Sequence, residues 1–334
     1  MIPELLAQIE DELHRQVARL DQPHTQPFHE MLTYHMGWTG EGAGPEAAGK
    51  RIRPLLLLLT LGACSPDVDV TAALPASAAV ELVHNFSLVH DDIQDNSPTR
   101  RGRPTAWTRW GIPMAINIGD ALFSMAGEAI LDLAPAFPPA SVLEAAAILH
   151  KTCLDLTCGQ YLDMSFEDRR DLTEADYWPM VSGKTAALLS ACCRIGAVLA
   201  GVDDHRQDAF AAFGHDLGIA FQVRDDILGI WGDESRIGKS AASDLVEGKN
   251  SLPILYGLGK RSAFAARWAQ GPVRLDEVPA LASLLKHEGA FDYAQDHALR
   301  WTNSAIQNLE RAAPAGEYGT ALFDLANKLL GRSF

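Results

Sequence analysis

The sequence predicts an all-α protein, a single-domain bundle of long helices that spans residues 1–334. Apolar residues recur at intervals of three and four positions through most of the chain, which is the period of a helix with one buried face. No segment of any length shows the alternation of apolar and polar residues that marks a half-buried strand. Several long segments are rich in Ala and Leu around much of their circumference, so we expect these helices inside the bundle.

The predicted helices follow one another with few breaks. In the first, ELLAQIEDELHRQVARL, the residues Leu5, Ile9, Leu13 and Val17 share one face. A loop rich in Gly and Pro follows, from Gly37 to Gly49. The next predicted helices are Pro54–Ala63, Ala72–Asn96, Met114–Leu133, Ala140–Phe166, Glu174–Ala200 and Asp204–Trp231, with shorter, more polar helices from about residue 275 to residue 330.

The charge balance excludes one broad class of function. The chain has 28 Lys and Arg residues against 43 Asp and Glu residues, a formal net charge of −15 at pH 7. A general nucleic-acid binder needs clustered Lys and Arg for phosphate contacts, so the composition argues against that class. Five cysteines match no zinc-ligand spacing, and we expect buried, reduced thiols. They are Cys64, Cys153, Cys158, Cys192 and Cys193.

The N-terminus and the most apolar run bear on the compartment. The stretch MIPELLAQIEDEL lacks the basic segment of a signal peptide and has the pattern of an amphipathic helix. The run PLLLLLTLGAC is much shorter than the roughly 20 apolar residues that span a bilayer. We therefore interpret it as a buried helix and expect a cytoplasmic protein without a membrane span.

The stretch LVHDDIQDNSPTRRG, residues 88–102, holds a first acidic cluster. Asp91 and Asp95 are four positions apart and lie on one face of the predicted helix, with Asp92 beside them. Like charges this close repel one another, and Mg²⁺ compensates such repulsion because it binds carboxylates together with substrate phosphates. A solvated acidic helix end is the alternative interpretation of this motif taken alone.

The arginines that follow favour the metal interpretation. Arg100, Arg101 and Arg103 come directly after the acidic cluster. The planar guanidinium group of arginine suits phosphate oxygens. Metal-binding carboxylates combined with guanidinium groups are an arrangement that holds a diphosphate.

A second acidic cluster ends another long predicted helix. Asp225 and Asp226 form the pair, and Asp233 and Asp244 follow. Lys184 falls at the predicted middle of a helix, where a buried lysine needs an anionic partner. The basic residues that accompany the two clusters are Lys50, Arg51 and Arg53 in GKRIRP, Lys184 in SGKTAAL, and Lys239 and Lys249 after the second cluster. Two acidic clusters with several basic elements fit two anionic substrates better than one.

Taken together, these segments resemble the trans-isoprenyl diphosphate synthases, also called polyprenyl synthetases. The resemblance runs in family order from GKRIRP at 49–54 to GKNSLP at 248–253, and includes HDDIQDNSPTRRGRPT, INIGDALF, SGKTAAL and FQVRDDILG. It implies an all-α fold of the isoprenoid synthase type, with long helices around a deep central cavity, usually in a homodimer. It also implies Mg²⁺-dependent condensation of an allylic diphosphate with isopentenyl diphosphate.

The resemblance implies a role for individual residues. Asp91 and Asp95 match the metal ligands of the first motif, with Asp92 assisting, and Asp225 matches the main ligand of the second; three Mg²⁺ ions are expected with substrate bound. The isopentenyl diphosphate site corresponds to Lys50, Arg53, His84 and Arg101. The allylic diphosphate site corresponds to Arg100, Lys184, Thr185, Gln222, Lys239 and Lys249. Among all of these, the catalytic set is Asp91, Asp92, Asp95, Lys184, Asp225 and Lys239.

One position departs from the family pattern. The second motif often reads DDxxD, whereas this chain reads DDILG, with Gly229 in the last place. Asp225 and Asp226 remain, and Asp233 follows two turns later. We expect weaker support for one metal ion rather than a loss of activity.

The residues just before the first motif bear on product length. Ser87 and Phe86 precede Asp91 by four and five positions, so they lie about 6–7.5 Å below the metal ligands along the helix. In the family, a large fifth residue, a small fourth residue and an uninterrupted motif resemble the geranylgeranyl (C20) type. Farnesyl (C15) and C25 products are the alternatives, because neighbouring residues such as Phe123 or Met125 can also set the floor.

Two other kinds of protein share part of this pattern. A class I terpene cyclase has the same metal chemistry but binds one diphosphate, and the second basic group from Lys50 to Arg101 argues against it. A catalytically silent partner subunit usually lacks an Asp or Arg of the first motif, and this chain keeps them all. Gly229 is the one feature that supports the silent subunit.

Overall fold

The computed structural model describes residues 1–65, 67–166, 169, 171–232 and 243–331. Its secondary structure is helical apart from one ribbon of two-residue strands within those ranges, so the predicted all-α class is confirmed. The described chain forms two compact units. The first comprises Met1–Cys153, Ala191–Asp208 and Ala313–Leu322, and the second comprises Leu154–Ser190, Ala209–Ala312 and the described part of Phe323–Phe334.

The helices are numbered here in chain order. They are α1 Ile2–Val17, α2 Gln26–His35, α3 Pro45–Ala48, α4 Ile52–Cys64, α5 Leu74–Gln94, α6 Ala106–Trp110, α7 Ile112–Leu131, α8 Pro139–Phe166, α9 Glu174–Val181, α10 Ala187–Leu199, α11 Asp204–Trp231, α12 Ser243–Glu247, α13 Leu252–Gly259, α14 Ala263–Trp268, α15 Val278–His287, α16 Ala290–Arg311 and α17 Gly316–Leu330. Short 3₁₀ turns cover Ala18–Leu20 and Val70–Ala73, and a π-helical turn covers Ser182–Ala186. Strands β1 Thr99–Arg100 and β2 Arg103–Pro104 pair antiparallel.

The core of the first unit is built around α4 and α5. Every residue of α4 from Pro54 to Ala63 is buried, as the apolar run in the sequence predicts. Helix α5 packs against α1, α4 and α7. At the α5–α7 contact, a Cβ atom on Gly119 would lie 2.2 Å from His90 Nε2, so only glycine permits this close approach. The first acidic cluster therefore sits at the end of a firmly packed helix.

The second unit has its own apolar core. Tyr177 from α9, Val223 and Ile227 from α11, and Leu252 and Leu255 from α13 are all buried in one cluster. Helix α9 begins with a capping box. The Thr173 side chain accepts from the backbone N–H of Asp176, and the Asp176 carboxylate accepts from the backbone N–H of Thr173. These contacts fix α9, which leads into the turn that carries Lys184, and the end of α11, which carries Asp225 and Asp226.

Within the part of the chain that the structure describes, two helices have the length and apolar composition that a membrane span requires, Val70–Gln94 and Ile112–Leu131. The most apolar part of the first is 61% buried within the protein, and that of the second is 44% buried. Core helices of water-soluble proteins meet the same criterion. Helix α5 also carries the first acidic cluster in its last turn, which fits a core helix better than a span.

Candidate active site

The three carboxylates of the first cluster, at the end of α5, differ in their exposure to solvent. The side chain of Asp91 is 19% exposed, whereas that of Asp92 is 2% exposed. Asp95 follows the last residue of the helix and is exposed, and its backbone N–H donates to the carbonyl oxygen of Asp91 at 2.8 Å. Asp91 and Asp95 are therefore accessible to a metal ion, and Asp92 points into the protein.

Asp92 forms an ion pair with Arg100, the first arginine after the acidic cluster. Arg100 Nε donates to Asp92 Oδ1 at 2.7 Å, and Arg100 Nη2 lies 3.9 Å from Asp91 Oδ2. Burial raises the pKa of Asp92 to about 6, and this outweighs the opposing effect of Arg100. The guanidinium group of Arg100 thus spans the two carboxylates that begin the motif.

Arg101 occupies the turn of the β1–β2 ribbon in a left-handed conformation, with φ 52°. Its Nη1 atom donates to the carbonyl oxygens of Ala47 and Ala48, both at 2.7 Å. A Cβ atom on Gly49, which has φ +96°, would lie 2.7 Å from the Arg101 guanidinium nitrogens. Glycine at position 49 therefore allows Arg101 to lie directly against the loop that leads to Lys50.

Arginines also surround His84, a predicted isopentenyl diphosphate contact. Burial, followed by the positive charges of Arg53, Arg101, Arg100 and Arg51, holds the pKa of His84 well below its usual value. Arg53 Nε is buried and has no hydrogen-bond acceptor among the described residues. The predicted residues Arg53, His84 and Arg101 therefore lie near enough in the first unit for the charges of both arginines to act on His84.

Two residues that the sequence did not single out as site residues organise this basic cluster. Arg51 donates from Nη1 to Glu81 Oε1 and from Nε to Glu10 Oε2, both at 2.9 Å. Glu81 is 3% exposed, and its carboxylate also opposes the burial effect that lowers the pKa of Arg53 and Arg101. Arg51 thus forms a buried ion pair with Glu81, and the charge of Glu81 also acts on Arg53 and Arg101.

The second acidic pair, like the first cluster, combines an accessible aspartate with a buried one. Asp225 is exposed, whereas Asp226 is 5% exposed. Asp226 accepts hydrogen bonds from Gln222 Nε2 at 2.9 Å, Tyr177 Oη at 2.7 Å and the backbone N–H of Leu252 at 3.0 Å. Burial and then the charge of Asp244 raise the pKa of Asp226 to about 7. Asp226 anchors the start of α13, and Asp225 is accessible to a metal ion.

The sequence pattern predicted Lys184 in the middle of a regular helix, and the structure differs from that prediction. Lys184 lies in the π-helical turn Ser182–Ala186, and its Nζ atom forms an ion pair with Asp163, a residue that the sequence did not single out. Thr185 Oγ1 donates to Gln222 Oε1 at 2.8 Å. The predicted allylic contacts Thr185 and Gln222 are therefore joined to each other and, through Gln222, to Asp226.

The remaining predicted lysines are less informative. Lys239 and the acidic residue Asp233 lie outside the described residues. Lys249 follows α12, and its Nζ atom lies 2.8 Å from Glu247 Oε2 with both side chains about half exposed. The role of these lysines in binding an allylic diphosphate stays a prediction.

Aromatic side chains from neighbouring helices meet the predicted floor residue. The ring of Phe86 contacts the ring of Phe123 at a centroid distance of 5.3 Å, and Phe123 contacts His150 on α8 at 6.3 Å. Ser87 Oγ donates to the carbonyl oxygen of His84 at 2.7 Å, so this side chain folds back on its own helix. Met125, the other neighbour considered from the sequence, is 5% exposed.

The accessible carboxylates in each unit have the chemistry of Mg²⁺ ligands. Across the ranges that the structure describes, no group of three or more His, Cys, Asp or Glu side chains is arranged to hold a metal ion alone. Mg²⁺ at phosphate sites typically takes one or two carboxylates and fills its octahedron with phosphate oxygens and water. Asp91 and Asp95 in the first unit, and Asp225 in the second unit, each offer carboxylate oxygens of this kind.

Comparison with known proteins gives concordant results. The family model described as polyprenyl synthetase matches residues 44–276. A geranylgeranyl diphosphate synthase from Mycobacterium tuberculosis is 39% identical over 307 residues, covering 90% of this chain and 85% of its own length. A (2E,6E)-farnesyl diphosphate synthase from Mycobacterium bovis is 36% identical, covering 95% and 89%. The crystal structure of a polyprenyl synthetase from Streptomyces coelicolor A3(2) superimposes with a TM-score of 0.87 at 33% identity, covering 98% of both chains.

Proposed function

We propose, since the chain belongs to the polyprenyl synthetase family and is a trans-prenyltransferase, that it condenses an allylic diphosphate with isopentenyl diphosphate in head-to-tail fashion and stops at geranylgeranyl diphosphate. Proteins of this family are generally Mg²⁺-dependent. The proposal extends this premise to the two substrates, the residues that bind them and the length of the product.

The observation that carries the proposal is the basic cluster of the first unit. Arg53 and Arg101 lie close enough to His84 for their charges to lower its pKa, and the buried carboxylate of Glu81, which is hydrogen-bonded to Arg51, acts on both arginines. The Nε atom of Arg53 is buried and has no acceptor among the described residues, so this part of the cluster favours an anionic ligand. This ligand is distinct from the one at Asp91 and Asp95, whose carboxylates require a metal ion before they attract a diphosphate. A second anion site is what a condensing enzyme needs and a cyclase does not.

Each group in the first unit then has a defined task. Arg53 and Arg101 bind the diphosphate of the isopentenyl substrate together with Lys50, and the depressed pKa of His84 keeps its ring neutral, so that it can act as a hydrogen-bond partner. Asp91 and Asp95 are the ligands for Mg²⁺ in the first motif. Arg100 favours the ionised form of Asp92 against the effect of burial, and it offers its remaining N–H groups to the allylic diphosphate.

The second unit serves the allylic diphosphate. Asp225 is a metal ligand, and Lys184 contributes positive charge from the π-helical turn. Gln222 and Thr185 are held by their mutual hydrogen bond, and Lys239 and Lys249 complete the predicted set. We infer three Mg²⁺ ions with substrate bound; bound Mg²⁺ neutralises the negative charge that develops on the departing diphosphate.

The reaction breaks one bond and forms another. The allylic C–O bond ionises, and diphosphate leaves with both electrons of that bond. The double bond of isopentenyl diphosphate attacks the allylic cation and forms a new C–C bond. The proton lost from the new chain passes to the released diphosphate. Apolar walls protect the cation from water.

We place the end of the growing chain at Phe86. Its contact with Phe123, and the contact of Phe123 with His150, extend the floor from α5 to α7 and α8 within the first unit. Ser87, one residue closer to Asp91, adds no second bulky level, because its side chain is small and its hydroxyl is bonded to its own helix. One bulky level rather than two supports C20, with C15 and C25 as the alternatives.

We also propose a cytoplasmic homodimer. The surface of α7 exposes Ile112, Met114, Ile116 and Leu131, whose side chains are 42–61% accessible. Apolar side chains repeated along one helix are typical of a surface that a partner covers. Light scattering of the purified chain tests this proposal: a mass of two chains supports it, and a stable monomer at micromolar concentration contradicts it.

The function is tested by following the fate of each substrate. Purified protein is incubated with labelled isopentenyl diphosphate, an allylic diphosphate and Mg²⁺, with omission of each component in turn and with excess EDTA. We expect chain growth only in the complete mixture. Hydrocarbon formed from the allylic diphosphate alone would indicate a cyclase. No reaction by the pure chain would favour the silent partner subunit.

A further inference from the structure

The π-helical turn Ser182–Ala186 is held at close range by α8. A Cβ atom on Gly159 would lie 2.1 Å from the backbone nitrogen of Lys184, and one on Gly183 would lie 2.7 Å from the carbonyl oxygen of Asp155. The backbones of the two segments thus touch through a pair of glycines. Isolated π-helical turns are rare and occur frequently at functional sites.

Helix α11 also contacts the turn, through two side-chain hydrogen bonds that are called rungs here. Ser182 Oγ lies 2.9 Å from His215 Nε2, and Thr185 Oγ1 donates to Gln222 Oε1 at 2.8 Å. His215 and Gln222 are seven residues apart and therefore lie on one face of α11. Between the rungs, a Cβ atom on Gly218 would lie 2.6 Å from the Cα atom of Ala186.

The rung through His215 continues to a third helix. His215 Nδ1 lies 3.0 Å from Asp216 Oδ1. Asp216 Oδ2 accepts hydrogen bonds from Ser304 Oγ at 2.6 Å and Asn308 Nδ2 at 2.9 Å, both on α16. Because the Asp216 side chain is only 9% exposed and accepts several donors, it favours the tautomer with a proton on His215 Nδ1. His215 Nε2 then accepts the hydroxyl proton of Ser182.

A Ser–His–Asp chain invites comparison with a nucleophilic triad, but the backbone argues against that role. The N–H group of Ser182 already donates to the carbonyl oxygens of Trp178 and Pro179. An acyl-transfer site needs backbone donors directed at the substrate oxyanion. The chain of hydrogen bonds therefore fixes the position of the turn instead.

We propose that Ser182, His215 and Asp216 form a clamp that keeps the turn π-helical and thereby sets the direction of Lys184, which makes His215 a positioning residue for the allylic diphosphate. This inference rests on the role of Lys184 in the proposed function. A π-turn holds one residue more than an α-turn, so relaxation to an α-helix rotates the adjoining residues by about 100°. Such a rotation moves Lys184 away from Asp163. It also moves Lys184 away from a ligand bound in the direction that the side chain has in the π-helical turn.

Kinetic measurements on the full-length chain test the clamp. Ser182→Ala and His215→Leu each raise the KM for the allylic diphosphate about fivefold, as expected for loss of one partly buried hydrogen bond. The KM for isopentenyl diphosphate stays within about twofold. Because both variants break the same rung, the double variant is no worse than the worse single variant. Ser182→Thr keeps the hydroxyl group and restores the wild-type KM.

A matched control separates the clamp from general helix packing. Ser190 on α10 also donates a hydroxyl hydrogen bond to α11, to the carbonyl oxygen of Ala211 at 2.8 Å. Ser190→Ala leaves both KM values unchanged. Equal changes in both KM values, additive effects of the two clamp variants, or an equal effect of Ser190→Ala would overturn the proposal.

A second measurement does not depend on activity. Acetic anhydride labelling, read residue by residue by mass spectrometry, reports the reactivity of Lys184 against Lys260 as an internal reference. Ser182→Ala and His215→Leu raise the relative labelling of Lys184 at least about threefold, and Ser190→Ala does not. Unchanged labelling in the clamp variants contradicts the clamp. Labelling that changes in a chain without condensation activity would instead refute the proposed function and leave the clamp in place.

Discussion

The carboxylate of Asp244 occupies the space directly in front of Gly229. A Cβ atom at position 229 would lie 2.6 Å from Asp244 Cγ and 2.7 Å from Asp244 Oδ1. Gly229 is the position at which the family pattern often has the last aspartate of the second motif. A carboxylate of α12 thus lies beside the position where DDILG lacks one, and burial followed by the charge of Asp244 raises the pKa of Asp226.

This relationship predicts a reciprocal pair of variants. Gly229→Asp forces two carboxylates together and lowers both the melting temperature and turnover, with overpacking alone costing about 1–3 kcal/mol. Asp244→Ala removes the carboxylate and lowers turnover. The double variant moves the carboxylate to position 229 and recovers part of the lost turnover. If the loss of turnover in the double variant equals the product of the two single losses, the two positions do not substitute for each other.

Asp91 is predicted to be a metal ligand whose loss affects catalysis rather than folding. Asp91→Ala reduces turnover at least about 100-fold, as expected when a group that stabilises transition-state charge is removed. The melting temperature changes little, because the side chain lies at a helix end and is partly exposed. Asp11→Ala, at an exposed position on α1, is the control for removal of one negative charge. Turnover of Asp91→Ala at the wild-type rate would refute this role.

Arg53 is predicted to bind isopentenyl diphosphate. Its Nε atom is buried without an acceptor among the described residues, and a diphosphate oxygen supplies one. Arg53→Ala raises the KM for isopentenyl diphosphate roughly tenfold to a hundredfold, since a charge-assisted hydrogen bond is lost. The KM for the allylic diphosphate changes far less. Arg194→Ala, which breaks an exposed ion pair with Asp208, is the control, and equal effects of Arg53→Ala on both substrates would count against the assignment.

Phe86 and Ser87 are predicted to change product length in opposite directions. Phe86→Ala removes the floor on α5, so longer prenyl alcohols appear after dephosphorylation of the products. Ser87→Phe adds a second bulky level and shifts the product towards C15. Phe28→Ala on α2 is the control and leaves the product distribution unchanged. If Phe86→Ala leaves the distribution unchanged as well, the floor lies at Phe123 or deeper.

The long helices could be predicted because burial and period agree in them. Helix α11 has the predicted bounds, Asp204–Trp231, and the apolar run of α4 is buried throughout. The segment predicted as one helix from Glu174 to Ala200 instead contains the π-helical turn. One extra residue shifts the phase of the apolar pattern by about 100°, but the pattern does not reveal this shift in a segment that is apolar around much of its circumference. The turn depends on glycines from α8 and α11, which are distant in the sequence.

The acidic motifs and most of their basic partners were identifiable from residue type and spacing. Their internal division was not, because adjacent aspartates look alike in a sequence. The structure buries Asp92 and Asp226 and exposes Asp95 and Asp225. Glu81 was missed for a related reason: its importance comes from arginines that approach it from other segments. Tertiary contacts alone determine which carboxylate balances which guanidinium group.

Product length tests the central claim most directly. The purified chain is supplied with Mg²⁺, labelled isopentenyl diphosphate and, in separate reactions, the C5, C10 and C15 allylic diphosphates, and the dephosphorylated alcohols are sized by chromatography. Termination at Phe86 predicts a C20 alcohol from all three starters. Growth that stops at C15 would retain the enzyme class and contradict both the proposed product and the floor at Phe86.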